Sequence, residues 1–107
     1  MTRIDKNFQG QTVICTFDVT PGTAQDVLDA LGDAYAQVIS RQPGYVSAAM
    51  HLNDAQTRIA TYSQWRDRRD YQAMLRTPEM RQRNRAIHSM CRHFEPVMYE
   101  VVDSWND

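Results

Sequence analysis

The stretch PGYVSAAMHLNDAQTRIATYSQW, residues 43–65, holds two strand-like runs separated by a short polar break. Residues 45–52 and 57–65 flank Asn53-Asp54-Ala55-Gln56, whose length and polarity suit a hairpin loop. Side chains alternate along a strand. Thr57, Ile59, Thr61, Ser63 and Trp65 therefore share one face of the second run, and Arg58, Ala60, Tyr62 and Gln64 share the other. A hairpin in mid-chain has to be placed against whatever precedes and follows it.

Upstream, residues 11–19 also alternate, with Val13, Cys15, Phe17 and Val19 on one side and Thr12, Ile14, Thr16 and Asp18 on the other. The β-branched and aromatic content reads as a strand, and Pro21-Gly22 breaks it. Residues 23–42 switch to a helical period. Val27, Leu28, Leu31, Ala34, Tyr35, Val38 and Ile39 form one stripe, Thr23 is placed to cap the first turn, and Pro43-Gly44 ends it.

Downstream, a short helix is expected over about 68–75, burying Tyr71, Met74 and Leu75. Thr77-Pro78-Glu79 restarts a helix, with the threonine as N-cap and the proline at the first helical position. It is expected to run to about residue 92, with Met80, Asn84, Ile87 and Cys91 on one stripe. A last strand is expected over 96–102, with Pro96 at its start, where no ladder donor is missed.

The order strand, helix, strand, strand, helix, strand is the split βαβ pattern. The expected fold is α+β and ferredoxin-like, a four-stranded antiparallel sheet with helices on one face. The other face needs cover that so short a chain does not supply. A homodimer through the sheets, closing an α/β barrel, is therefore expected. Residues 1–10 carry no periodicity and are expected to form a flexible arm ahead of a single domain at 11–105.

With 107 residues, 42% hydrophobic and 23% charged, the chain has ordinary globular usage and room for one core. A formal net charge of −1, with the arginine clusters interrupted by Asp67, Asp70 and Glu79, argues against a nucleic-acid partner. The first twenty residues lack the apolar stretch of a signal peptide, and no run approaches the length of a membrane span. Cys15 and Cys91 make no CxxC pair, so two free thiols in the cytoplasm are expected.

No Gly-rich phosphate loop, GxSxG elbow, HExxH or dinucleotide fingerprint occurs. His51, His88 and His93 have no partners at metal-ligand spacing, and no metal site is expected. Attention falls instead on Trp65 at a strand end, Tyr71 on the next helix and Arg85 on the helix after it. An indole N–H, a phenol and a guanidinium fork suit a planar, electron-rich, acidic ring. The same residues equally suit an ordinary core beside a solvated arginine.

The run Ile59-Ala60-Thr61-Tyr62-Ser63-Gln64-Trp65, then Tyr71 and the Thr77-Pro78-Glu79 helix start, resembles the antibiotic biosynthesis monooxygenase family. So do residues 43–51, Pro-Gly-Tyr-Val-Ser-Ala-Ala-Met-His, and the closing stretch 94–101. The likeness spans about residues 11–103. It implies dimers formed through the sheet. In the anthrone-oxidising members it also implies an enzyme that uses no metal or flavin cofactor, has O2 and a planar aromatic substrate as its partners, and needs no nucleic acid or membrane. Those members have a tryptophan ending the third strand, a tyrosine six residues later and an arginine on the following helix. Trp65, Tyr71 and Arg85 stand there as the implied catalytic residues, with Thr61, His51 and Met74 as expected substrate contacts. One position departs: four residues before the tryptophan these enzymes carry asparagine, and here Thr61 keeps a hydroxyl but lacks the amide. The haem-degrading branch has a helix tryptophan and, ten residues on, an iron-ligating histidine; Met74 and Asn84 occupy those positions. A dimeric small-molecule-binding protein without turnover is the other alternative.

Overall fold

The computed structural model describes residues 2–106; Met1, the first residue of the expected arm, lies outside them. β1 (Gln11–Asp18) is followed by α1 (Ala24–Gln37), β2 (Tyr45–Leu52), β3 (Arg58–Trp65), α2 (Arg68–Arg76), α3 (Pro78–His88) and β4 (His93–Tyr99). The strands form one antiparallel sheet in the order β2-β3-β1-β4, the split βαβ arrangement.

The register fixes which side chains meet. Directly paired residues share a face, so the rows Ala48–Ser63–Val13–Met98, Met50–Thr61–Cys15–Pro96 and Leu52–Ile59–Phe17–Phe94 point toward the helices. Two apolar clusters form between sheet and helices. One gathers Val13, Ala34, Val38, Ile39, Trp65, Tyr71, Met74 and Met80. The other gathers Cys15, Phe17, Val19, Ala24, Val27, Leu31, Ile59 and Ile87. Each inward position named from the alternation of β1 and β3 is buried, apart from the loop residue Thr57.

The loop that joins β2 and β3 is built by Asn53, whose Oδ1 accepts the backbone N–H of Thr57 at 2.9 Å and of Arg58 at 2.8 Å. Gly44, ahead of β2, has φ 82°, and a Cβ there would run into the Asp70 carboxylate. That close approach lets the α2 start lie against the β2 entry, where Arg66 N–H donates to Gly44 O at 2.6 Å.

Four boundaries and one cap differ from expectation, the last strand also stopping at Tyr99 rather than at residue 102. α1 stops at Gln37 and the stripe continues through a 3₁₀ turn, Ile39–Arg41, that keeps Val38 and Ile39 buried. α3 ends at His88, after which tight turns bring Arg92 N–H to Asp18 O at 2.9 Å and open β4 three residues early. Pro96 thus lies in mid-strand, a position open to proline because β4 is an edge strand with β1 as its one neighbour. Thr23 holds the N-cap position of α1, yet its hydroxyl accepts from Thr20 N–H at 3.1 Å and does not cap the helix.

Candidate active site

A cavity of about 450 Å³ opens between the two apolar clusters. Its floor is the inward face of β1 and β3, with Val13, Cys15, Phe17, Thr61 and Ser63, extended by Phe94 and Pro96 of β4. Leu31 and Tyr35 of α1, with Ile39, close one side, and Tyr71, Met74 and Leu75 of α2 close another. α3 supplies Met80, Arg81, Asn84, Arg85 and His88.

α2 is placed by its ends. Asp67 accepts the Asp70 N–H at 3.0 Å, and Thr77 both closes α2, donating to Met74 O at 2.9 Å, and caps α3, accepting Met80 N–H at 3.3 Å. These caps aim Tyr71 and Met74 inward. Trp65, the last residue of β3, is fully buried and stands one layer behind the cavity wall. Its Nε1 donates to Ser63 Oγ at 3.1 Å, and its ring lies edge-on to Tyr71 and to Tyr45, with centroids 5.7 Å apart in each case.

Burial dominates the titration of the phenols. It pushes the Tyr71 hydroxyl well up from its ordinary value, with nearby Cys15 and Tyr35 acting in the same direction. Tyr35 is also raised by burial, opposed by the hydroxyls of Thr61 and Ser63 that its phenol faces. Both phenols are therefore neutral donors at ordinary pH. Burial drives the Cys15 thiol up to about 12, which leaves it an inert wall rather than a nucleophile.

Of the residues singled out from sequence, Thr61, Tyr71, Met74 and Arg85 line one cavity, and Trp65 braces it from behind. Trp65 thus has no wall surface on which a ring could stack directly; its neighbours Tyr71 and Ser63 carry that surface. His51 is not in this site. It pairs with Ala60 on the open sheet face, the side away from the helices, because it is one residue out of step with the inward Met50.

Tyr35, Ser63 and Arg81 are further lining residues that sequence reasoning did not single out. Tyr35 was visible only as part of the α1 stripe, and Ser63 only as an inward strand position beside Trp65. No group of three or more His, Cys, Asp or Glu side chains comes together among the described residues. The lining carries no Asp or Glu, so its formal charges are arginines at the mouth. Among the described residues no helix is long and apolar enough to cross a membrane.

The model of the antibiotic biosynthesis monooxygenase family matches residues 11–86, from the start of β1 to the third turn of α3. Tetracenomycin-F1 monooxygenase of Streptomyces glaucescens is 30% identical over 94 residues, covering 88% of this chain and 83% of that protein. A monooxygenase from the gene ActVA-Orf6 of Streptomyces coelicolor, solved with nanaomycin D, superposes with a TM-score of 0.82 at 20% identity, covering 92% of each chain. A point mutant of SnoaB, a cofactor-independent oxygenase from Streptomyces nogalater, gives 0.79 at 17% identity, covering 91% of this chain and 97% of that one. The family match takes in three of the four strands and reaches every helix that walls the cavity. The chain belongs to the antibiotic biosynthesis monooxygenase family.

Proposed function

We propose that this protein is a monooxygenase that oxidises an activated aromatic small molecule of the anthrone or quinol kind with O2, needs no metal or flavin, and works as a homodimer. The observation that carries the reading is one apolar cavity walled by neutral phenols, with guanidinium groups at its mouth and no carboxylate in its lining. Such a site favours a flat molecule that becomes an anion on entry. The names of the relatives support the class of reaction.

The substrate supplies the electrons. Loss of a proton from its acidic C–H gives a delocalised anion, which Arg85 balances by charge in a partly dry site. The anion transfers one electron to O2, and the two radicals combine into a peroxide on the same carbon. The O–O bond then breaks. One oxygen stays as the new carbonyl, and the other leaves as water, taking up the two hydrogens that the carbon loses. Tyr71, held protonated by burial, donates to the departing oxygen and recovers a proton from the carbon. Thr61, Ser63 and Tyr35 present hydroxyls to the substrate's oxygens, and Trp65 acts as a positioning residue through Ser63 and Tyr71.

Oxygen uptake with dithranol, a simple anthrone, tests this after subtraction of spontaneous oxidation. Arg85→Ala and Trp65→Phe are expected to lower turnover about 10- to 100-fold, in the range of a lost transition-state contact. His51→Ala, on the far face of the sheet, is expected to stay within about twofold. Equal losses in Arg85→Ala and His51→Ala would overturn these roles. Uptake no faster than buffer, with dithranol still bound, would favour a binding protein in which Thr61 in place of an asparagine has removed the chemistry.

A further inference from the structure

Oxidation at an acidic C–H begins with a proton leaving carbon, and a cavity that promotes this step needs a group able to take that proton. The lining contains no Asp or Glu. Arg81 and Arg85 of α3 are donors only. Cys15 of β1, Tyr35 of α1 and Tyr71 of α2 hold their protons more firmly than usual because they are buried. β4 brings Phe94 and Pro96, which do not titrate. One lining side chain remains that takes up a proton near neutral pH: His88, the last residue of α3.

The packing sets this imidazole against the aromatic end of the cavity. Its ring stands at 67° to that of Phe94, with centroids 3.8 Å apart. Phe94 in turn stacks on Phe17 of the cavity floor, at 5.6 Å and 17°. α3 ends here, and Cys91 N–H donates to His88 O at 3.3 Å in the turn that leads into β4. Among the described residues the His88 imidazole enters no ion pair; His93 and Glu95, on the opposite face of β4, pair with each other.

We infer that His88 is the base that removes the acidic proton of the bound substrate, a role that rests on reading the cavity as the site of a cofactor-independent oxygenase. An imidazole nitrogen takes the proton, and the electron pair of the broken C–H bond stays on the ring system as the delocalised anion. After electron transfer to O2 and combination of the radicals, the imidazolium returns its proton to the outer oxygen of the peroxide. This gives a hydroperoxide and a neutral imidazole. Tyr71 then acts at the O–O bond, passing on the carbon's second hydrogen, so the oxygen that leaves as water carries both.

Oxygen uptake with dithranol, run beside dithranol binding, tests the role in His88→Gln and in His88→Phe, which keeps an aromatic ring against Phe94. Both variants are expected to bind dithranol within about threefold of wild type and to lose about 100-fold in kcat. Wild-type kcat is expected to fall as pH drops from about 8 to 5, whereas the residual rate of the variants stays flat, because no other lining group titrates in that range. A kcat within about threefold of wild type, an acid limb that persists in both variants, or loss of dithranol binding in both would overturn His88 as the base and leave the oxygenase reading in place. Wild-type uptake no faster than buffer would overturn that reading, and the base with it.

Discussion

Cys15 sits on the floor of the cavity with its thiol buried, and burial pushes that thiol from 9.0 up to about 12. The folded chain therefore holds this proton to higher pH than the unfolded chain does. Stability from this group is complete below about pH 9 and is lost as pH rises toward 12, with a slope of at most about 1.4 kcal/mol per pH unit. The Tyr71 and Tyr35 phenols, raised from 10.0 by burial, add to the same alkaline loss at higher pH. Urea midpoints are expected to hold steady from pH 7 to 9 and to fall from pH 9 to 10.5. In Cys15→Ala the fall is expected to be shallower, from a somewhat lower starting point because a small void is created. Parallel falls in the two proteins would show that the thiol does not carry the effect. Residue identity was legible where alternation alone decides it, as at Thr61 and Cys15. Tyr35 was less so: a helical stripe says that its ring points inward, but not that its hydroxyl meets Thr61 and Ser63 on a strand distant in sequence.

At the scale of elements, α2 is the segment on which the site depends most. It has nine residues, too short to hold helical form in water by itself, and it carries Tyr71 and Met74. Asp67→Ala removes the side-chain acceptor of the Asp70 N–H and is expected to cost about 1 kcal/mol in a denaturation titration, with Asp67→Ser recovering most of it. The existence and order of all seven elements could be read from periodicity, because burial against one shared core imposes period two on strands and 3.6 on helices. Their ends were less readable. The α1 stripe runs on into the 3₁₀ turn at Ile39–Arg41 because both conformations bury the same side, and nothing in the hydrophobic pattern marks the change. The end of α3 was hidden in a similar way, since Cys91 continues its apolar spacing after Met90 N–H has already turned back to Ile87 O at 3.0 Å. The expected start of β4 at Pro96 came from the missing donor, and it gave too little weight to the tolerance of an edge strand.

The whole molecule has two layers, with principal extents of 39 × 33 × 20 Å, and its helices cover one face of the sheet. Across the other face the register lines up Ala49, Tyr62, Ile14 and Val97, one residue from each strand, in a continuous row that is half-buried in the single chain. Nearby, Tyr99 is 48% exposed, and beyond it Val102 and Trp105 are 84% and 90% exposed. An apolar row across the sheet face that the helices leave open is suited to a partner. A second copy related by a twofold axis would bring the row of one chain against its own counterpart. Wild type is expected to elute and scatter with twice the mass of the 12.4 kDa chain. Ile14→Asp places a charge at the centre of the row without touching the cavity, whose floor is made by the alternate residues Val13 and Cys15. It is expected to give a folded monomer, because unpaired charges buried at an interface cost several kcal/mol. A wild type that stays monomeric at high concentration, or a dimer unaffected by Ile14→Asp, would show that this face is not the interface. A monomeric variant that still binds dithranol would show that the cavity is complete within one chain, and one that does not would show that the second copy contributes to it.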